Sequence, residues 1–408
     1  MKIIKVCTAS FVLMSMLSAC KVKHNSVVKN VAPDVSAIKV KLQDKKVYAF
    51  DKAGVSFSNN FDAARLNKLV SLNDSTFNIE ILPENEPINP SPWFAFKVWG
   101  KPSKNVYINL VYPTAKHRYP PKIVNAKGWK LINNVKLSKD RNEASFVLQL
   151  TKDTALVAGQ EVVPSSETYR WISEVAPKYQ LKTTTIGYSI GGKPIVALSS
   201  QKSSGKKMVL VISRQHPPEV TGYMAMLPFV ETLLGNSDLA KRFNENYELV
   251  IVPLMNPDGV DQGNWRHSFG GVDLNRDWEF FKQPETKSFK DFILKKIESQ
   301  DAKVEFALDF HSTYNDVMYT NTDRNDTNRP GLMAAWIEGL HSFEKANSKS
   351  VTPIKPSPNG GNTSKSWFGR ALNAEAVTYE VGDSTPRDFL HKKAVVCAEV
   401  LMTELLKK

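Results

Sequence analysis

Three cysteines in 408 residues, Cys7, Cys20 and Cys397, leave no basis for a disulfide framework. No stretch of about 20 apolar residues is present, so no mature membrane-spanning helix is expected. The longest apolar run near the start, Phe11 to Leu17, is too short for one. There is no internal repeat, and the only low-complexity stretch is a short one after residue 20, which argues against solenoid and fibrous architectures. Basic residues outnumber acidic ones, 54 to 41, for a formal charge of +13. The lysines are nevertheless scattered, and no basic stripe interleaved with aromatics exists to bind nucleic acid. A positive balance of this kind favours anionic partners by long-range attraction, and acidic peptides fit it better than nucleic acid.

What is present is ordinary globular material: 42% hydrophobic and 23% charged, enough for two domains with cores. Lys2 and Lys5, the run Phe11–Leu17 and then small residues up to Cys20 have the layout of a secretion signal. Leu17-Ser18-Ala19-Cys20 resembles the lipobox of bacterial lipoproteins, which implies cleavage before Cys20, lipidation of that cysteine, and a lipid-anchored place in the bacterial cell envelope. The alternative is an ordinary leader with an incidental cysteine. Loss of Lys2 and Lys5 with the leader would bring the charge to +11. Cys397 would then be the sole thiol. It lies in AVVCAEVLMTELLKK, an amphipathic helical pattern, and reads as a small buried hydrophobe.

Along the chain, residues 1–20 are the expected signal and 21–36 (KVKHNSVVKNVAPDVS) a polar, flexible tether. Residues 37–160 carry short alternating runs, STFNIEIL, WFAFKVWG, NVYINLVY and ASFVLQL, between Asn, Pro, Gly and Asp, which predicts a small all-β sandwich domain. Over 165–408 the apolar strands GKKMVLVISRQ, YELVIVPLMN, KVEFALDFHS and AEAVTYEVGD alternate with helical stretches such as MAMLPFVETLLG. This is α/β patterning, with a mixed, mostly buried sheet flanked by helices. His216, Asn256, His311 and Glu380 stand at or just past the C-terminal ends of those strands, where open α/β sheets bind ligands.

A catalytic zinc takes three nitrogen or oxygen ligands and keeps one position open. QHPPEV offers His216 and Glu219 three positions apart, near enough to reach one ion. That pair alone is unspecific, but NPDG (256–259), DLNR (273–276), DFHS (309–312) and TYEVGD (378–383) follow in order. The succession of HPPE, NPDG, DLNR, DFH and a glutamate at a strand end resembles the zinc carboxypeptidase family from about Thr185 onward. NPDGVDQGNWRHSFGGVDLNRDW and the upstream PENEPINPSPWFAFKVWG are similar to the cytosolic carboxypeptidase-like branch and its N-terminal β-domain, and GYSIGGKPI resembles the hairpin opening the family's catalytic domain.

The resemblance implies one zinc held by His216, Glu219 and His311, and a metallocarboxypeptidase acting on peptides with a free C-terminal carboxylate. It implies Glu380 as the base that activates the zinc-bound water and then protonates the leaving amine. Arg266 would hold the oxyanion, Asn275 and Arg276 the terminal carboxylate, and Asp273 the spare N–H of His216. The bland alternatives are an ion-paired Arg266 and a turn-forming Asp273. His24, His117, His267, His341 and His391 have no ligand spacing.

Two departures from the pattern matter. Pro218 stands inside the first ligand motif, where many members have glycine. Trp367 precedes Glu380 at the spacing found in the classical digestive members, but Pro358 occupies the position of their substrate-capping tyrosine, so the loop is shifted or that phenol is absent. The same spacing places Lys365 near the residue that sets side-chain preference, where a cation would select acidic C-terminal residues; a solvated loop lysine is the alternative. Competing activities on the same fold are amide hydrolysis of cell-wall peptides or of N-acyl amino acids, and a peptide-binding protein without catalysis.

Overall fold

A computed structural model describes residues 29–125, 128–200, 205–321, 326–357 and 360–407. The expected signal, Cys20 and the first part of the tether lie outside the described residues, as does Pro358. The tether expected over 21–36 stops earlier than its polar composition suggests. Val31 N–H donates to Gly192 O and Asp34 N–H to Ile190 O, both at 2.8 Å, so the chain is already bound to the second half of the protein there.

Two sheets build the N-terminal part. One runs in the order 47–50, 55–58, 95–100, 155–158, 122–125 and 128–131; the other in the order 68–71, 76–80, 105–111, 143–149 and 136–137. The strands alternate as their sequences do: in Asn105–Val111 every second residue is buried. Those inward residues, among them Phe57, Phe77, Phe96, Ile108, Leu110 and Phe146, form one core between the sheets.

The helix Ser165–Lys178 opens the second part. Its eight-stranded sheet has the order 182–188, 194–199, 248–252, 207–213, 303–313, 375–382, 317–321, 354–357. The four central strands, 248–252, 207–213, 303–313 and 375–382, are parallel, while 194–199 and 317–321 join them antiparallel. The central runs are β-branched and apolar on both faces because helices cover both. Phe229, Val230, Trp336, Leu401 and Met402 pack on one face. Trp278, Phe289, Ile293, Trp367 and Phe368 pack on the other. Among the described residues no helix is long and apolar enough to cross a membrane.

Candidate metal centre

Four sequence segments converge at the C-terminal ends of the parallel strands. His216 lies in the turn after strand Lys207–Ser213, and Glu219 is the residue just before helix Val220–Leu233. His311 and Glu380 are directly paired on adjacent strands, Lys303–Thr313 and Glu375–Gly382. Gly222 allows the helix to sit this close. Its N–H donates to Ser312 Oγ at 2.7 Å, and any Cβ there would lie 2.2 Å from the His311 carbonyl oxygen.

His216 Nδ1 is 2.8 Å from Glu219 Oε1, His311 Nδ1 is 2.7 Å from Glu219 Oε2, and the two Nδ1 atoms are 3.1 Å apart. Ligands about 2.0–2.1 Å from a tetrahedral zinc stand ~3.3 Å from one another. These three donors therefore need only a small outward shift to hold the ion. Their far nitrogens are already engaged: His216 Nε2 donates to Asp273 Oδ1 and His311 Nε2 to Asp309 Oδ2, each at 2.8 Å. That leaves both Nδ1 lone pairs facing the same point, and the two carboxylates make the imidazoles better donors.

With no ion bound, protonated imidazole supplies the positive charge at that point, and zinc would displace the proton. Burial alone would raise Glu219, but His216 and His311 hold it well below the usual carboxylate range. Burial alone would lower His311, yet Asp309 and Glu219 raise it well above the ordinary imidazole value. Two histidines and one carboxylate, all buried, with an open side toward a cleft, suit a catalytic zinc.

Glu380 stays apart from this set. It lines the cleft, its Oε2 has no hydrogen-bond partner among the described residues, and burial followed by repulsion from Glu219 pushes it up to about 7. Asp273 links the metal side to the substrate side. Its Oδ1 also accepts the Asn275 N–H at 2.8 Å, and its Oδ2 accepts Arg266 Nε at 2.6 Å. Arg266 lines the cleft, and no protein hydrogen bond engages its terminal nitrogens among the described residues. Asn275 and Arg276 line the same cleft, with Asn275 Oδ1 held by Ser364 N–H at 2.9 Å.

Lys365 is not the loop lysine that its serine neighbours suggest. Thr363 caps a helix over Ser364–Leu372, and the lysine is only 2% exposed. Its Nζ donates to Thr320 O at 3.2 Å and Ser357 O at 3.1 Å, and no carboxylate pairs with it among the described residues. It lines the cleft beside Thr378 and Tyr319, and burial lowers it to about 8. The structure thus gathers His216, Glu219, His311, Glu380, Arg266, Asp273, Asn275, Arg276 and Lys365 around one cleft of about 390 Å³.

Several participants were not singled out from sequence. Asp309 is two residues before His311 on one strand, hence on the same face, a spacing that could have flagged it. Gln215 Nε2 donates to Asp309 at 2.6 Å, and Ser364 Oγ donates to the same oxygen. Tyr314 and Tyr319 bring phenols to the cleft from elsewhere than position 358. Asn89, Ser91 and Arg118 reach it from the β-sandwich. Arg118 is ion-paired with Asp383 at 2.9 Å and lies between the rings of Tyr119 and Tyr314. No local pattern announces such long-range neighbours.

A His-Glu-His triad at the carboxyl edge of a parallel sheet, with a separate glutamate beside it, defines a metal-dependent hydrolase centre. Comparison with known proteins sharpens that class. The zinc carboxypeptidase family profile matches residues 168–391, and the chain belongs to that family. Human cytosolic carboxypeptidase 2 is 22% identical over 374 residues, covering 81% of this chain and 41% of that protein. Bovine cytosolic carboxypeptidase 3 is 24% identical over 308 residues, 66% of this chain and 31% of that protein. The chain thus spans less than half the length of these relatives. The crystal structure of a metallo-carboxypeptidase from Burkholderia cenocepacia superposes with a TM-score of 0.71 at 18% identity, over 86% of this chain and 99% of that one, a likeness of fold.

Proposed function

We propose that the protein is a zinc-dependent metallocarboxypeptidase that removes single residues from peptide C-termini. The observation that carries this reading is the placement of carboxylate-binding groups, Asn275 and Arg276, in the same cleft as the metal triad and the separate Glu380. A peptide whose last carboxylate meets Asn275 and Arg276 would present its final amide to the metal side of the cleft. Bound zinc supplies Lewis acidity and makes water acidic enough to ionise near neutral pH. Glu380 takes the proton of the attacking water and returns it to the leaving amine nitrogen, a task suited to a carboxyl near 7. Arg266, braced by Asp273, offers its terminal nitrogens to the charge that develops on the carbonyl oxygen.

The reading extends to acidic C-terminal residues. Lys365 is the cation buried in the cleft wall without a carboxylate partner among the described residues, and an acidic side chain would supply one. The sequence of residues 1–20 further supports a lipid anchor at Cys20 and an envelope location.

The test is zinc content together with hydrolysis of N-blocked di- to tetrapeptides ending in Glu, Leu, Lys or D-Ala, for wild type and Glu380→Gln. One zinc per chain, with release of the last residue that Glu380→Gln abolishes, is expected, with Glu fastest. A metallated protein that releases no terminal residue would sink the reading; cleavage of D-Ala peptides alone would shift it to cell-wall peptides. Loss of membrane fractionation in Cys20→Ala is the expected sign of the anchor.

A further inference from the structure

The segment PENEPINP, residues 83–90, belongs to the β-sandwich side and takes no part in the reaction proposed above. Yet its Glu84 is fully buried, a costly place for a carboxylate unless polar partners enclose it. The partners are three consecutive backbone amides 181 to 183 residues further along the chain. Trp265 N–H donates to Oε2 at 2.7 Å; Arg266 and His267 N–H donate to Oε1 at 2.9 and 2.6 Å. The Arg65 guanidinium, 3.9 Å from Oε2 and fully buried, balances the charge.

Neighbouring contacts pin the same loop. Asn85 Oδ1 accepts from His267 Nδ1 at 2.7 Å, and Asn85 Nδ2 donates to Gly271 O at 3.0 Å. Trp265, fully buried, packs in the hydrophobic core of the β-sandwich rather than in that of the α/β part. The middle residue of this clamped triplet is Arg266, whose side chain runs the other way into the cleft and is braced at Nε by Asp273. Its backbone is therefore fixed from one half of the protein and its guanidinium from the other.

We infer that Glu84 is a positioning residue for Arg266: the β-sandwich carries a carboxylate whose work is to aim the oxyanion-binding arginine of the other half. This rests on the carboxypeptidase reading for Arg266. Three amides converging on one carboxylate leave the 265–267 backbone little freedom, and stabilisation of a developing charge depends on donors fixed before the reaction begins. Glu84→Gln keeps one acceptor oxygen and turns an NH2 group toward amides that need an acceptor, so the loop should rotate or loosen. Among the described residues no hydrogen bond joins Asn275, Arg276 or the three metal-ligand candidates to Glu84 or to the 265–267 triplet directly. Ground-state binding should therefore persist while the turnover step suffers.

The experiment compares Glu84→Gln in wild type and in Arg266→Ala, with zinc content checked in each variant. In wild type, kcat should fall roughly tenfold or more with KM changed by less than about twofold, since loss of one oxyanion donor commonly costs ~100-fold or more. In Arg266→Ala the same change should add nothing, because the residue it aims is gone. Equal losses in both backgrounds, or a zinc-loaded Glu84→Gln with unaltered kcat, would overturn the inference. Glu84→Asp, which keeps the charge one methylene further back, serves if the glutamine variant fails to fold; a smaller loss, again absent in Arg266→Ala, is expected. Amide hydrogen exchange provides a readout that needs no turnover. Faster exchange confined to residues 264–270 supports the clamp, and unchanged exchange there refutes it. A wild type that hydrolyses no peptide would refute the carboxypeptidase reading, with the clamp still decided by exchange.

Discussion

Replacing Asp309 by Asn isolates the effect of one negative charge behind a metal ligand. Asp309 is fully buried and uses one oxygen for everything: Oδ2 accepts from His311 Nε2 at 2.8 Å, from Gln215 Nε2 at 2.6 Å and from Ser364 Oγ. Its Oδ1 has no hydrogen-bond partner among the described residues. An asparagine oxygen can occupy the Oδ2 position and accept the same three donors, with the NH2 placed where nothing is lost. Shape and hydrogen bonds survive, and only the charge that strengthens the His311 donor is removed. Outer carboxylates of this kind are worth roughly tenfold to a hundredfold in metal affinity, or about 1.4–2.7 kcal/mol. The zinc Kd of Asp309→Asn, measured by competition with a chromophoric chelator, should rise by that factor, and the metal-free protein should also lose stability to denaturant, because the charge that raises His311 is gone. An unchanged Kd in a folded variant would show that the charge on Asp309 does not tune the ligand.

Gly222→Ala should destabilise the protein by about 1–3 kcal/mol and weaken zinc binding, because the new methyl would press on the His311 backbone; urea unfolding and zinc titration check both. Lys365→Met should lower the ratio of kcat/KM for C-terminal Glu over Leu by roughly tenfold or more, as expected for loss of a charged hydrogen bond, and an unchanged ratio would refute the role. In wild type the same ratio should decline between pH 7 and pH 9, since burial favours the neutral amine and Lys365 loses its proton near about 8. Cys397, 1% exposed and pushed up to about 12 by burial, should resist iodoacetamide in the native protein at pH 8 and react only after unfolding.

His216, His311 and Glu380 stood out as polar residues at or just past the ends of apolar strands, and the resemblance to the zinc carboxypeptidase family named His216, Glu219 and His311 as the ligand set. A polar residue such as His311, closing KVEFALDF, has no structural reason to be there unless it serves a site. The same applies to Glu380 in AEAVTYEVGD. The sheet and both halves followed from periodicity, alternation in 105–111 and apolar runs in 207–213. What escaped was whatever depends on contacts across long sequence separations. Glu84 reads as one more acidic residue in a Pro-rich loop until the 265–267 amides close on it. Arg118 reads as a surface cation until Asp383 and Tyr314 enclose it. Lys365 was named from its spacing to Trp367 and Glu380, but its setting was not legible: Ser-Lys-Ser suggests a loop, whereas Thr363 accepting from the Ser366 N–H starts a helix that carries the lysine inward. The docking of Val31 and Asp34 on the hairpin turn near Gly192 was hidden in the same way, since backbone pairing leaves no mark on a polar, aperiodic stretch.

His311 and Glu380 sit side by side as paired residues of two parallel strands, so the spacing between the zinc-ligand candidate and the proposed base is a property of the hydrogen-bonded ladder itself. Strand partners slide only in whole-residue steps, and a single step would turn one of the two to the opposite face. Lys365, Tyr314 and Arg276, by contrast, are carried by a helix start, a turn and a short 3-10 segment around the rim. Substrate choice could therefore be redesigned by rebuilding the rim, with the reacting groups left in register beneath it.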